Sequence, residues 1–279
     1  MTSHFATLQD LSTQDMRAQI RACAYAGHTA GLGGRRLQAN LAILPAESAL
    51  DFMRFCQRNP RPCPLVGVSD TGNPLMTTLG HDIDVRTDLP GYYIYRDGIL
   101  DQDVTDITAH WRDDFVAFAL GCSFTFEHAL IAAGIPMWHI TNDTTVPMYR
   151  SNIQTERAGP FGGDMVVSMR AIDEKDVPQV FEICRNYPMA HGAPVHAGDP
   201  SDIGIADIGA PQWGDPMPLK PGQVPVFWAC GVTPQVAIMD AKLPISITHK
   251  PGHMLITDIP DDAETTILTT SKEPTGDHP

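Results

Sequence analysis

Several short stretches of this chain carry side chains able to do chemistry. In residues 224–235 an apolar run ends at Cys230-Gly231, and Thr233-Pro234 opens a helix. Where a strand ends and a helix begins, free backbone N–H groups favour anions. A thiol there has a lowered pKa, so Cys230 is a candidate nucleophile or acid; a buried cysteine beside Trp228 is the competing reading. A second such place is Leu120-Gly-Cys-Ser-Phe-Thr-Phe-Glu127, where Cys122 and Ser123 precede a helix and Glu127 lies one turn in. Ser123 with Glu127 also reads as a capping arrangement. In Thr248-His-Lys-Pro-Gly-His253, Pro251-Gly252 sets a turn between two strands, and His249 and His253 stand on its two arms. Histidine suits proton transfer near neutral pH. His191, His196 and Asp199 are ligand types of a catalytic metal site at a spacing that fits no tight metal motif, so hydrogen bonding within a polar loop competes with a divalent metal. Arg86, between Asp84 and Asp88, can grip a substrate carboxylate with two parallel bonds or pin its own loop.

The elements that must position these groups alternate. Residues 12–26 read as a helix capped by Ser12 and closed at Gly27, and Pro45 begins another through about residue 58. Residues 65–69 read as a strand. Residues 92–96 and 99–104 flank Asp97-Gly98, a strong signal for a type I′ hairpin. Residues 115–120 are apolar and ambiguous between helix and strand. A helix over 124–133 ends at Gly134, a strand follows at 165–172, and Asp173 caps a helix to about 186. Residues 189–222 are dense in Gly and Pro without any period. Such a segment is a functional loop or a covering excursion. A strand at 224–229, a helix to about 242 and strands at 245–249 and 254–257 close the chain. The alternation argues for an α/β layered architecture.

The bulk numbers exclude several functions. The 279 residues suffice for one large domain or two moderate ones, and 43% hydrophobic with 19% charged residues is an ordinary globular composition. With 19 Lys and Arg against 33 Asp and Glu, the net charge is −14, and Arg35-Arg36 is the only basic doublet. Nucleic acid and anionic membrane surfaces are therefore not expected partners. No apolar stretch approaches a membrane span and the N-terminus lacks a secretory pattern, so a cytoplasmic protein is expected. The six cysteines, at 23, 56, 63, 122, 184 and 230, form no C-x-x-C pair; reduced thiols are expected rather than disulfides or a cysteine zinc site.

The whole chain resembles the D-glutamate cyclase family of bacterial hydro-lyases. The segments that carry the resemblance, in order, are Leu37-Gln-Ala-Asn40, Phe55-Cys-Gln-Arg-Asn-Pro60, residues 84–90, Gly121-Cys-Ser-Phe-Thr-Phe-Glu127, Val146-Pro-Met-Tyr149, Met165-Val-Val-Ser-Met-Arg170, His191-Gly-Ala-Pro-Val-His196, residues 225–235 and residues 247–258. Small departures are Ser151 for Thr, Ala171 for Pro and Trp138 for Arg, the last removing a cation near His139. The resemblance implies a two-part α/β protein, a three-layer αβα-like domain with a smaller α+β domain. The division expected here is residues 1–115 with 205–271 as the main part, 116–204 as an inserted part, and 272–279 as a flexible tail. It also implies lyase chemistry on a small amino or hydroxy dicarboxylate, above all cyclisation of D-glutamate to 5-oxo-D-proline with loss of water.

For that reaction His249 or His253 is the expected base, Cys230 and Ser123 with nearby N–H groups stabilise the oxyanion, and Cys122 is a further candidate catalytic residue. Glu127 is the expected acid if burial raises its pKa. Arg86, Asp84, Asn40, Thr233, Asn152, Arg170, His191, His196 and Asp199 are the expected substrate-binding residues. No cofactor is expected and a small carboxylate is the expected partner, with a homo-oligomer left open. The alternatives are a hydrolase or lyase with a divalent metal on His191, His196 and Asp199, and a non-catalytic binder of an acidic metabolite.

Overall fold

A computed structural model describes residues 4–261, and the expected tail at 272–279 lies outside the described residues. In chain order the elements are α1 (His4–Gln9), α2 (Thr13–Arg21), β1 (Arg36–Pro45), α3 (Ala46–Arg58), β2 (Leu65–Val68), β3 (Tyr92–Arg96), β4 (Ile99–Val104), β5 (Phe115–Gly121), α4 (Phe124–Ala132), α5 (Trp138–Thr141), β6 (Met148–Gln154), β7 (Asp164–Asp173), α6 (Val177–Arg185), β8 (His196–Ala197), β9 (Gln223–Ala229), α7 (Val232–Ala241), β10 (Ser246–His249) and β11 (Leu255–Pro260). The fold is mixed α/β, as expected, and is built on two sheets.

The larger sheet has seven strands in the order β2-β5-β1-β10-β3-β4, with β11 also on β1; the smaller has the order β6-β7-β9-β8. Every pairing is antiparallel. The apolar run ambiguous from sequence is β5, a central strand between β2 and β1, buried along its whole length. The hairpin forms at Asp97-Gly98, with φ of 51° and 79°. Ser12 caps α2 by accepting from the Asp15 N–H at 3.1 Å, but the helix stops at Ala22, five residues before Gly27. The loop reading of 189–222 holds, apart from the two-residue β8 and short 3-10 turns. The expected division puts nearly all of β5 in the inserted part and β9 in the main part, whereas β5 belongs to the larger sheet and β9 to the smaller. Among the described residues no helix is long and apolar enough to cross a membrane.

Each sheet sends one helix across to the other. Strand β5 leaves the larger sheet through Gly121-Cys122-Ser123 into α4. There Phe126 and Leu130 pack with Ile172, Val226 and Trp228 of the smaller sheet and with Val180 and Cys184 of α6. Strand β9 leaves the smaller sheet through Cys230-Gly231 into α7. There Ala237 and Ile238 pack with Ala42, Leu44, Phe118 and Leu120 of the larger sheet and with Phe52 and Phe55 of α3. Both helices are apolar nearly all round, as helices buried between layers must be. The two crossovers meet, and the candidate site lies where they do.

Candidate active site

A narrow cavity is lined by Asn40, Cys122, Ser123, Phe124, His191, Cys230, Gly231, Val232 and His249, with Thr145, Val146, Met148, Gly252 and Met254 completing its wall. Its empty space, mouth included, is about 330 Å³. The first residues of α4 and of α7 both lie on this wall, and neither N-cap residue, Ser123 or Gly231, makes a side-chain cap bond. Two helix N-termini, each carrying partial positive charge, therefore face one small space.

Asn40 ties the crossovers together. Its Nδ2 donates to the carbonyls of Gly121 at 2.8 Å and Leu120 at 3.2 Å, while its side chain fills the place a Cβ on residue 231 would take. Each cysteine is held in the same way. Burial pushes the Cys122 thiol up to about 12 and the Cys230 thiol up to about 11, against the lowering effect of the Phe124 and Val232 N–H groups directed at the sulfurs. The lowered pKa expected for Cys230 is thus reversed: desolvation outweighs the helix terminus, and both groups are neutral thiols at pH 7.

Two histidines line the cavity, and both are neutral. His191, in the left-handed conformation at φ 75°, is 1% exposed. Its Nδ1 lies 2.7 Å from the Arg61 carbonyl. A carbonyl only accepts, so Nδ1 carries the hydrogen and Nε2 keeps its lone pair. Burial lowers its pKa to about 4, Arg170 and Arg61 adding to the effect. His249, at the end of β10, is held with Nδ1 between the N–H (3.1 Å) and carbonyl (3.3 Å) of Leu41, and Gln235 donates to its backbone carbonyl at 3.1 Å. Burial lowers its pKa to about 4 as well. His253 is set back in the β10–β11 turn with Nδ1 2.9 Å from the Pro251 carbonyl, and it is not part of the cavity wall.

Behind Ser123 lies a buried charged cluster. Arg170 donates from Nε to Glu127 Oε1 at 3.0 Å, from Nη1 to Ser168 Oγ at 3.1 Å, and from Nη2 to both Glu127 Oε1 and Ser123 Oγ, the last at 3.0 Å. Its guanidinium lies beside the Phe126–Trp228 ring pair, 5.2 and 5.1 Å from their ring centres, which are themselves 5.5 Å apart. His139 Nε2 lies 3.0 Å from Glu127 Oε1, within ion-pair range but not aligned for a hydrogen bond. Burial alone would raise the Glu127 pKa, as the acid role requires. Instead His139 and Arg170 outweigh it and hold the carboxyl at about 2. Glu127 is an ionised counter-ion, not a proton donor, and Arg170 has its donors committed to protein oxygens rather than free for a substrate carboxylate.

The other expected site residues lie elsewhere. Arg86 is paired with Asp84 through Nε (2.9 Å) and Nη2 (2.6 Å), the loop-pinning arrangement, away from the cavity. Thr233 Oγ1 accepts from the Val166 N–H at 3.0 Å and donates to its carbonyl at 3.1 Å, fastening α7 to β7. Asn152 is exposed on β6. His196 Nε2 bonds the Asp199 carbonyl at 2.7 Å, and Asp199 Oδ1 caps Ser201 at 2.9 Å. His191 does not join them: among the described residues no group of three His, Cys, Asp or Glu could hold a metal. Sequence reading missed the wall residues Thr145 and Met254 and the contact that orients His191, since its partner carbonyl belongs to Arg61, 130 residues away.

The family profile of D-glutamate cyclase matches residues 116–258, which run from β5 to β11 and hold both crossovers. A protein of Dinoroseobacter shibae is 67% identical over 264 residues, 95% of this chain and 88% of that protein. This chain belongs to the D-glutamate cyclase family. Other family relatives are a Ruegeria pomeroyi protein, 64% identical over 98% of this chain and 99% of its own, and one from a Jannaschia species, 60% identical over 90% and 95%. All three carry the name "Putative hydro-lyase", the enzyme class expected from the sequence. A nitrogen repressor-like protein from Methanococcus jannaschii superposes over 87% of this chain and 94% of its own at a TM-score of 0.39 and 10% identity, too distant a likeness to bear on fold or function.

Proposed function

We propose that this protein is a lyase that closes D-glutamate to 5-oxo-D-proline with release of water, in the cavity between the two crossovers. The observation that carries this reading is the convergence of two helix N-termini, neither with a side-chain bond from its N-cap residue, on one narrow space. One terminus holds the α-carboxylate and the other the γ-carboxyl of a short dicarboxylate. That folds the substrate so that its amine faces the γ-carbon, and positioning supplies much of the acceleration. His191 is the base on this reading, ahead of His249 or His253, because its Nε2 holds a free lone pair. It takes a proton from the α-ammonium. With its pKa lowered to about 4, the imidazolium formed is a strong acid and passes the proton on rather than keeping it. The neutral thiols of Cys122 and Cys230 stabilise the oxyanion as hydrogen-bond donors without adding a charge that would repel the carboxylates. The reaction as written uses no cofactor.

The test is NMR of the purified protein with D-glutamate and L-glutamate, with and without EDTA. Formation of 5-oxo-D-proline from the D isomer, unaffected by EDTA, is the expected result. His191→Asn is expected to lower turnover about 10²- to 10⁴-fold with the fold intact. Wild-type turnover in that variant removes His191 from the reaction. Stabilisation by D-glutamate without product would instead favour a binder of the same acid.

A further inference from the structure

Ser123 is 4% exposed and lies on the cavity wall, and its Oγ accepts a hydrogen bond from Arg170 Nη2 at 3.0 Å. The arginine supplies the hydrogen of that bond, so the serine's own hydrogen must point elsewhere. Capping does not use it: Ser123 stands at the N-cap of α4 in a helical conformation (φ −60°, ψ −20°) with no side-chain cap bond, so the capping arrangement of Ser123 and Glu127 does not form. The cation beside the oxygen favours loss of the hydroxyl proton. It stays there because Glu127 balances its charge, with the Phe126 and Trp228 rings packed beside it.

We infer that Ser123 is the proton donor to the departing oxygen of the substrate and that Arg170 is the residue that positions and polarises it. This rests on the cyclase reading above. In the step, the first ammonium proton passes through His191 to the γ-carboxylate, which becomes the γ C–OH group. The α-nitrogen lone pair then forms the C–N bond to the γ-carbon, His191 takes the second N–H proton and the γ C–OH bond breaks. The Ser123 hydroxyl hydrogen goes to the leaving hydroxyl, giving water, and the imidazolium on His191 restores the serine. Both protons lost by the ammonium end on the departing oxygen, so atoms and charge balance. Hydroxide is a poor leaving group, which is why the step needs a donor. A γ-ester whose alcohol is acidic needs one far less.

The test compares D-glutamate with its γ-trifluoroethyl ester, measured above the ester's uncatalysed closure. In Ser123→Ala, checked for folding by thermal unfolding, kcat for D-glutamate is expected to fall about 10²- to 10⁴-fold at little change in KM. The ester is expected to lose little. Arg170→Lys is expected to show the same dependence on leaving group, and the double variant is expected to be no slower than Ser123→Ala alone. Equal losses on both substrates, as a nucleophile or a purely structural residue would give, overturn the assignment while leaving the cyclase reading in place. Closure of neither substrate by the wild-type protein overturns the reading itself.

Discussion

The two crossovers follow one plan and differ in what stands behind them. In both, a strand runs into a cysteine whose sulfur receives the N–H of the residue two further on, and a helix then starts without a side-chain cap. Behind α4 lies a buried ion cluster, Arg170 with Glu127 and His139. Behind α7 every partner is neutral: Thr233 on Val166, Gln235 on His249, and Asn40 against Gly231. A carboxylate that only has to be held needs N–H groups and no more. A carboxyl that must lose oxygen needs a field that responds as charge moves, and a desolvated cation with its counter-ion supplies one. On the proposed cyclase reading, the contrast puts the reacting γ-carboxyl at the α4 end and the spectator α-carboxylate at the α7 end.

The largest effect should come from breaking the charged side. Arg170→Met leaves Glu127 buried and ionised, with Oε2 already lacking a hydrogen-bond partner. Removing one partner of a buried pair costs about 3–5 kcal/mol. Thr233→Val, its counterpart behind α7, strands only the Val166 N–H, since the Val166 carbonyl keeps the Cys230 N–H at 3.0 Å, and should cost about 1–3 kcal/mol. Urea unfolding of both variants decides the matter; an Arg170 variant no less stable than the Thr233 variant would mean that the ion cluster is not what distinguishes the two ends.

Acid separates the sides next. His191 and His249 titrate near 6.5 when unfolded and at about 4 when folded. A depressed histidine pKa means that the unfolded chain binds more protons between these values. The contribution is therefore complete above pH 6.5 and lost as pH falls toward 4, up to about 3 kcal/mol for each histidine. Glu127 also has a lowered pKa, from 4.5 to about 2, so its contribution holds down to 4.5 and goes only below that. The expected profile has two steps. His249→Asn should reduce the slope between pH 6.5 and 4 and leave the lower step unchanged. A variant with the full wild-type slope would show that His249 is not held neutral by burial.

What was legible in the sequence was what neighbours in the chain decide. Asp97-Gly98 forces its own turn, and the cysteines after two apolar runs mark the strand ends that became the cavity wall. The first strand was not legible as a strand. Along β1 every residue after Arg36 is buried, Gln38 and Asn40 included, so no alternation shows. Gln38 Nε2 donates to the carbonyls of Thr29 and Leu32, a loop detail that no periodicity encodes. The same holds for Glu127. Burial was foreseeable, but the sign of its shift depends on Arg170, 43 residues away, and on His139. The substrate-binding roles expected for Arg170 and Thr233 meet a related difficulty: each side chain has partners within the fold that the sequence does not show.

The smallest and most specific effect concerns the glycines at the two strand ends. A methyl on Gly121 would collide with the Met189 carbonyl, a backbone atom in the turn just before His191. A methyl on Gly231 would collide with the Asn40 side chain instead. Backbone gives way less readily than a side chain, so Gly121→Ala should cost more stability, within the range of about 1–3 kcal/mol usual for overpacking. Gly231→Ala should keep more of its stability because Asn40 can swing aside, but it swings out of its bonds to Gly121 and Leu120 on the cavity wall. Turnover should then fall further in Gly231→Ala than its loss of stability explains. Thermal unfolding and kcat/KM measured on both variants test this, and the reverse order, with Gly231→Ala the less stable and the more active, would place the functional wall at β5 alone.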